Sequence, residues 1–428
     1  MASRRLLVHS ATQVVQVVNN GERVLTGPAM KKLEIIQRTN EDGVSIVIDS
    51  KGNIEAIGLD GEVKKTFKNA TFEKTIDATG MSIIPGLVDG HTHPVWAGDR
   101  VHEFAMKLAG ATYMEVHESG GGIHYTVEHT RKATEDELLH SLKSRLWKML
   151  KSGTTLVECK SGYGLNADTE IKMLQVIERA KRKVPIDTSS TYCGAHAVPK
   201  GSSASEATKD VINVQIPRIH KLMQEEKLHI DNIDVFCELG VFNVEQSKQI
   251  LEAGKNIGLQ INFHGDELHP IKSAEMGADL GATAISHLEE VSDLGIEKMA
   301  ESGTIAVILP TTAYILRLNN PPVRKMLASG VAVALGSDFN PNAYCLSMPL
   351  VMHLACVNLH MTMNEALVAA TLNAAASVGK SSTHGSLEVG KYGDMVILDE
   401  PKWENMIYQL GGHNHVIKHV IKQGKVVV

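Results

Sequence analysis

The chain has 428 residues, of which 43% are hydrophobic, so it can bury the core of a large α/β domain together with a smaller one. Its 43 basic and 49 acidic residues give a formal net charge of −6 and are interspersed along the chain. This pattern argues against a nucleic-acid partner or an anionic membrane partner. The five cysteines form no CxxC pair, and no apolar run approaches the roughly 18 residues of a membrane-spanning helix. We therefore expect a cytosolic (cytoplasmic) protein with reduced thiols.

Short β-like runs separated by turn signals fill the first part of the chain. One example is the valine-rich stretch 14–18, which is closed by Asn19-Asn20-Gly21, and another is Val44–Ile48. The last 45 residues have the same character. We therefore predict one small β-sandwich domain that both termini build, from residues 1–84 and 384–428, around a middle domain of residues 85–383.

Helix-like and strand-like segments alternate in the middle domain. Helical stretches end in glycine and pass directly into apolar runs, as Lys151-Ser152-Gly153 does before Thr154–Val157. Helix starts carry capping boxes, for example Asn243 with Gln246. This alternation predicts parallel strands joined by right-handed helical crossovers.

Eight apolar runs have the length and character of buried parallel strands. They cover residues 82–88, 154–159, 186–193, 232–237, 258–263, 282–286, 304–309 and 331–336. Eight such units match a (β/α)8 TIM-type barrel, whose active site lies at the carboxyl ends of the strands. A doubly wound α/β sheet remains the alternative, because strand order is not visible in a sequence.

Side chains that can bind a metal or transfer a proton follow six of these eight runs. They are His91 and His93, then His196, Glu238, His264 with Glu267, His287, and finally Asp338. Each has an ordinary alternative role: a lone histidine is more often hydrogen-bonded in a core or loop, Asp338 can cap a helix, and Glu267 can serve as a first-turn acid. Their shared position at the ends of different predicted strands indicates one common site.

His91 and His93 are separated by one residue, so in an extended chain both side chains face the same way and can bind one ion. A histidine from another strand and an aspartate would complete a set of three nitrogens and one oxygen. That set suits zinc or iron with an open position for water. A second pair, His413 and His415, follows two glycines and no apolar run, so we expect it in a loop or on the surface.

The run PGLVDGHTH at 85–93, with His264, His287 and Asp338 at later strand ends, resembles the metal-dependent amidohydrolase superfamily. The segments 93–100, 119–123, 160–165, 194–199 and 337–341 are similar to its imidazolonepropionase family, and the resemblance covers nearly the whole chain. It implies the barrel with a terminal β-sandwich and one Zn²⁺ or Fe³⁺ ion per subunit. It also implies that a metal-activated hydroxide hydrolyses the cyclic amide bond of 4-imidazolone-5-propanoate, giving N-formimidoyl-L-glutamate in histidine degradation.

The resemblance also implies a role for individual residues. The implied metal ligands are His91, His93, His264 and Asp338. The implied contacts to the substrate are Arg100, Tyr113 and Tyr163 at the propionate, His196 and Glu267 at the ring, and Asn340 beside the product. A guanidinium at Arg100 can bind a carboxylate with two hydrogen bonds, and the alternative for it is a surface ion pair with Asp99 or Glu103.

Three residues have catalytic potential beyond binding. Asp338 or Glu267 would accept the proton of the attacking water and return it to the leaving ring nitrogen, and the sequence does not decide between them. His287 would polarise the carbonyl oxygen of the amide. The expected partner is a small molecule that carries a carboxylate, and the expected assembly is a homodimer.

Two features depart from simple carry-over of the family pattern. The fourth run ends in Glu238 with no lysine close behind it, so we do not expect a two-metal centre with a carboxylated lysine, and Glu238 is either a second ligand or structural. Asn342-Ala343 stand where the family pattern has glycine and a hydroxyl residue. The alternatives to an imidazolonepropionase are another mononuclear amidohydrolase, such as a cytosine- or guanine-type deaminase, and a non-catalytic scaffold on the same fold.

Overall fold

The computed structural model describes residues 3–110 and 121–428. Eight parallel strands and their helices form a barrel, and two further sheets, built from both ends of the chain, form a sandwich beside it. Tyr113, for which the sequence predicts a substrate contact, lies outside the described residues.

The strands are numbered along the chain. They are β1 Arg4–Ala11, β2 Gln13–Val17, β3 Glu34–Gln37, β4 Val44–Ile48, β5 Ile54–Leu59, β6 Phe72–Asp77, β7 Ser82–Pro85, β8 Leu87–Asp89, β9 Thr154–Lys160, β10 Asp187–Ala195, β11 Asn232–Cys237, β12 Gln260–Gly265, β13 Ala284–His287, β14 Ile305–Ile308, β15 Val333–Leu335, β16 Met395–Leu398, β17 Ile417–Lys422 and β18 Lys425–Val426.

The helices mostly follow the strands of the barrel. The described α-helices are Asp60–Thr66, Val101–Leu108, Ile123–Lys132, Glu135–Lys151, Ala167–Ala180, Ala204–Asp210, Ile216–Gln224, Val244–Asn256, Ser273–Leu280, Asp293–Ser302, Pro310–Leu316, Val323–Ala328, Met348–Asn358, Met363–Ala369, Leu372–Ser377, Asn405–Tyr408 and His413–Val416. The predicted capping box of Asn243 and Gln246 is present. Within the described ranges, no helix is both long and apolar enough to span a bilayer.

Strands β8 to β15 are adjacent in chain order and parallel throughout, which confirms the predicted barrel and excludes a doubly wound sheet. All seven residues of β9 are buried, as a strand covered on both faces requires. The first and last strands meet just beyond their ends, where the Asp338 amide donates to the His91 carbonyl at 3.0 Å and the His93 amide to the Phe339 carbonyl at 2.9 Å. Barrel closure therefore places His91 and Asp338 side by side.

The first apolar run is not one strand, which corrects the prediction for residues 82–88. Ser82–Pro85 pairs with β16 and β2 in the sandwich, whereas Leu87–Asp89 pairs with β9 in the barrel. Gly86 makes the transition, and a Cβ atom there would lie 2.1 Å from Thr155 Oγ1. Residues 82–88 form one apolar run because the sandwich buries its first half and the barrel buries its second half.

The sandwich consists of a four-stranded sheet in the order β5-β4-β1-β6 and a six-stranded sheet in the order β18-β17-β16-β7-β2-β3. Side chains from both ends of the chain share its core, among them Leu6, Ile46, Ile83, Met395 and Ile421. This confirms that both termini build one composite β domain.

Candidate metal centre

Four potential ligands converge at the carboxyl ends of β8, β12 and β15. His93 Nε2 lies 3.1 Å from His264 Nε2, and the Nε2 atoms of His91 and His93 lie 3.5 Å and 3.7 Å from Asp338 Oδ1. All four side chains are buried. The structure thus brings together the four residues that the resemblance implies as ligands.

The donors in this cluster fit a divalent or trivalent transition metal. His91 Nε2 is buried and has no hydrogen-bond partner among the described residues, which is costly for a polar atom away from water. Three imidazoles and one carboxylate are ligands that zinc and iron accept. Burial lowers the pKa of His91 and His93 well below the usual value for histidine, so both rings are neutral and can ligate.

Two of the imidazoles are held by hydrogen bonds at Nδ1, on the side away from the cluster. His91 Nδ1 lies 2.8 Å from Ser286 Oγ, and His264 Nδ1 lies 2.7 Å from Asp234 Oδ1. Such outer partners fix the tautomer and orientation of a metal-binding histidine. Sequence analysis did not single out Asp234, although a lone acid inside the apolar run at 232–237 was a signal for it.

Backbone strain at the ends of β13 and β15 also helps to aim these side chains. His287, Leu288 and Asp338 have φ values of 78°, 69° and 47°, in the left-handed region that non-glycine residues rarely adopt. Thr312 Oγ1 donates to Asp338 Oδ2 at 2.6 Å, which leaves Oδ1 directed at the histidines. Such strain at strand ends is typical of functional sites.

His287 lies between two buried carboxylates beside the ligand cluster. Its Nε2 is 3.5 Å from Glu267 Oε2, and its Nδ1 is 3.7 Å from Glu289 Oε2. Burial alone would lower the pKa of His287, but the two glutamates outweigh burial and raise it to about 10. Burial also raises the pKa of Glu267 to about 7, against the opposing influence of His287. The pair can therefore donate and accept protons near neutral pH.

Tyr163 and His196 form one wall of the site. The imidazole of His196 stacks on that of His93, with centroids 4.5 Å apart and planes 11° apart, and the Tyr163 ring lies 5.3 Å from His196. The loop that carries Tyr163 is held by Glu170, a buried carboxylate that accepts hydrogen bonds from three backbone amides between residues 162 and 165. The wall is thus built on a fixed loop.

Arg100 lines a cavity of about 450 Å³ together with Trp96, Arg145 and Tyr344. It makes an ion pair with Glu103, as one of the alternatives anticipated. The pair is not a surface pair, however, because the Glu103 side chain is only 1% exposed.

Two further residues that the sequence predicts for the site, Glu238 and Asn340, make hydrogen bonds within the loops at the ends of the strands. Glu238 accepts hydrogen bonds from the amides of Leu239 and Leu268 and from His269 Nδ1, so it clamps the loops after β11 and β12. Asn340 donates to the Asp338 carbonyl at 2.7 Å, and its side-chain oxygen accepts hydrogen bonds from the next turn of the loop. These bonds favour the structural alternative for Glu238 over a second ligand.

Comparison of the sequence with known families decides the membership of this chain. The sequence profile described as the amidohydrolase family matches residues 82–427, which include every barrel strand and all four clustered residues. The chain belongs to the amidohydrolase family. The barrel fold agrees with that membership.

This amidohydrolase also has close relatives along its full length. It is 61% identical over 424 residues to a protein of Nematostella vectensis named "Probable imidazolonepropionase", and the match covers 99% of both chains. Proteins of the same name from Mus musculus and Homo sapiens are 61% and 60% identical, and each match covers at least 98% of both chains.

Solved structures with the same fold are more distant in sequence. An adenosine deaminase from Xanthomonas campestris with bound zinc matches 99% of this amidohydrolase, and 93% of its own chain, with a TM-score of 0.71 and 17% identity. A guanine deaminase from C. acetobutylicum with bound guanine matches 99% of both chains with a TM-score of 0.69 and 17% identity. At this identity the likeness supports the fold alone.

Proposed function

We propose that this amidohydrolase is an imidazolonepropionase, which hydrolyses the cyclic amide bond of 4-imidazolone-5-propanoate and releases N-formimidoyl-L-glutamate. The observation that carries the proposal is the full-length identity of 60–61% to relatives of that name. The site agrees with it, because buried potential ligands and proton-transfer groups meet at the carboxyl end of the barrel.

One Zn²⁺ or Fe³⁺ ion per subunit would be held by His91, His93, His264 and Asp338. When bound, such an ion polarises the amide carbonyl and lowers the pKa of a coordinated water from 15.7 to roughly 7. Burial lowers the pKa of His91, His93 and His264, so these imidazoles are neutral, which is the protonation state that metal binding requires.

The protein's own groups would move the proton of the attacking water. Asp338 or Glu267 accepts this proton and returns it to the ring nitrogen as the cyclic amide opens. His287 lies 3.5 Å from Glu267, and it would donate a hydrogen bond to the carbonyl oxygen, where negative charge develops.

The remaining residues would orient the substrate. Arg100, Tyr113 and Tyr163 would bind the propionate, His196 and Glu267 the ring, and Asn340 the product side. Arg100 has its Nε and Nη2 atoms bonded to Glu103, so its Nη1 side would face the substrate carboxylate. A buried, oriented guanidinium of this kind suits an acidic substrate better than a neutral base.

One assay tests the proposal. Purified protein is mixed with 4-imidazolone-5-propanoate, and the loss of imidazolone absorbance and the formation of formimidoylglutamate are followed with and without a chelator. We expect turnover that the chelator abolishes and that Zn²⁺ or Fe²⁺/Fe³⁺ restores, and metal analysis identifies the native ion. Turnover of guanine or cytosine instead would establish the deaminase alternative, and absence of bound metal would establish a non-catalytic scaffold.

We further propose that the enzyme acts in the cytosol as a homodimer with a small-molecule substrate, without a nucleic-acid or membrane partner. The interspersed charges and formal net charge of −6 support the absence of nucleic-acid and membrane partners. Light scattering coupled to size-exclusion chromatography tests the assembly, with an expected mass of twice 46.4 kDa. A monomeric mass would overturn it.

A further inference from the structure

A chain of buried charges lies behind His264. Asp234 links His264 to Lys160. Its Oδ1 atom lies 2.7 Å from His264 Nδ1, and its Oδ2 atom accepts a hydrogen bond from Lys160 Nζ at 2.6 Å. The same Nζ atom donates to Glu158 Oε1 at 2.7 Å. The side chains of Glu158, Lys160, Asp234 and His264 are between 0% and 4% exposed, so no solvent screens these contacts.

The barrel brings these groups together from separate strands. Glu158 and Lys160 are two residues apart on β9, so their side chains point the same way into the barrel, whereas Asp234 comes from β11 and His264 from β12. Strand β10 lies between β9 and β11 and contributes Thr191, whose hydroxyl donates to Glu158 Oε1 at 2.6 Å. Lys160 and Asp234 are far apart in sequence, so their contact could not be predicted from the sequence and forms only in the closed barrel.

We propose that Asp234 and Lys160 act as one positioning unit for the metal centre. Asp234 accepts the Nδ1 proton of His264 and so keeps Nε2 unprotonated and directed at the cluster. Lys160 donates a hydrogen bond to the other oxygen of Asp234 and so holds this carboxylate in place behind His264. The inference rests on the proposed metal centre and adds two residues to it that do not touch the ion.

Removal of either charge should weaken metal binding through His264. An amide at position 234 can still accept a hydrogen bond, but it no longer strengthens the histidine as a ligand. Without Lys160, the carboxylates of Glu158 and Asp234 would share a buried space without a counter-ion, and Asp234 would lose the partner that orients it toward His264.

The environment of Lys160 also bears on its chemistry. Carboxylation by CO₂ requires a neutral amine with access to solvent. The Nζ atom of Lys160 is instead buried and bonded to two carboxylates, so it remains an ammonium group. Lys160 thus contributes a fixed charge behind one ligand and does not become a bridging ligand itself.

The test measures the affinity for Zn²⁺ by competition with a chromophoric chelator, with the visible absorption of the Co²⁺-loaded protein as a second readout. Asp234→Asn and Lys160→Met are each expected to lower the Zn²⁺ affinity by about 10- to 100-fold. Each should also change the Co²⁺ spectrum. The double variant should bind no more weakly than the weaker single variant, because either change disables the same unit.

Tyr192→Phe is the matched control. It removes a fully buried hydroxyl of β10 that bonds Gln215 and lies outside the charge chain. We expect the control to keep the affinity and spectrum of the wild type. Lys160→Arg retains the cation and should keep an affinity within a few-fold of wild type, so it tests the role of charge if Lys160→Met is too unstable to purify.

Each outcome decides between distinct conclusions. Wild-type affinity in Asp234→Asn overturns this inference but leaves the proposed function intact. If Tyr192→Phe loses as much Zn²⁺ affinity as Asp234→Asn, any disturbance of the core weakens metal binding. If the affinity losses of the two single variants multiply in the double variant, the two residues act separately. Either result overturns the positioning unit. If the wild-type protein binds neither Zn²⁺ nor Co²⁺, the proposed metal centre itself is wrong.

Discussion

Glu103 accepts two hydrogen bonds from the guanidinium of Arg100, at 2.8 Å from Nε and 2.6 Å from Nη2. Its other carboxylate oxygen accepts the amide of Gly122 at 2.9 Å. One buried carboxylate therefore fixes the orientation of Arg100 and ties the helix Val101–Leu108 to the start of the helix Ile123–Lys132. In the proposed function, this arrangement orients the Arg100 guanidinium for the substrate carboxylate before the substrate binds.

Replacement of Arg100 should weaken substrate binding far more than it slows chemistry. Hydrogen bonds to a charged partner contribute about 1.5–3 kcal/mol, so we expect Arg100→Ala to raise KM for 4-imidazolone-5-propanoate roughly 10- to 100-fold. Arg100→Lys should recover little of this loss, because an ammonium lacks the forked geometry. Arg179→Ala, which removes an exposed ion pair, is the control for steady-state kinetics. Unchanged kinetics of Arg100→Ala would remove the substrate assignment.

Asp338 and Glu267 should differ in what their amide variants lose. Asp338→Asn is expected to lower both metal content and kcat, because Asp338 lies within 3.7 Å of two histidine nitrogens of the cluster. Glu267→Gln should retain the metal and lower kcat by about 100-fold or more, as loss of a proton-transfer group does. Metal analysis alongside kcat separates the two roles. Loss of metal in Glu267→Gln would contradict this division.

Glu289 should contribute both to stability and to activity. Both of its carboxylate oxygens are buried without a hydrogen-bond partner in the described part of the chain, and one lies 3.7 Å from His287 Nδ1. Glu289→Gln removes one of the two carboxylates that face His287, so the free energy of unfolding should fall, and kcat should also fall about tenfold because His287 is less well held as a hydrogen-bond donor. Urea unfolding tests the predicted change in stability, and steady-state kinetics test the predicted change in kcat. A loss of stability with unchanged kcat would mean that Glu289 is purely structural.

Asp187 should make the junction between sandwich and barrel sensitive to acid. Its carboxylate accepts hydrogen bonds from His384 at 2.8 Å and Lys422 at 2.6 Å. Burial alone would raise the pKa of Asp187, but these partners lower it to about 2. Because the folded pKa lies below the usual value of about 3.9, the stabilisation is present above roughly pH 4 and is lost as the pH falls towards 2.

The measurement compares urea unfolding of the wild type and of Asp187→Asn at pH 7 and at pH 3. The side chain of Asp187 is 39% exposed, so after allowance for screening by solvent we expect a difference of about 1 kcal/mol at pH 7 and a smaller one at pH 3. Asp168→Asn, which removes a surface acid, should show no such change. A gap that is equal at both pH values would show that Asp187 does not titrate in this window.

The barrel was predictable because its signals are local. The stretch Thr154–Val157 carries no charge and all of β9 is buried because both of its faces are covered, and the glycine before it marks the end of a helix. Parallel strands end at the same edge, so His91 and Asp338 could be assigned to one site from their positions just after two runs. The prediction of one strand at 82–88 was wrong because hydrophobicity indicates that a residue is buried but not in which domain it is buried.

The sequence by itself determined the count of barrel strands, the edge at which the potential ligands cluster and the residue types of the proposed metal centre. Only the tertiary structure decided what holds them. The link from Lys160 through Asp234 to His264 joins three separate strands, and the pairing of Arg100 with the buried Glu103 depends on how a helix packs. Hydrophobic periodicity is set by near neighbours along the chain. A polar contact across the barrel instead depends on closure, which brings together residues that are far apart in sequence.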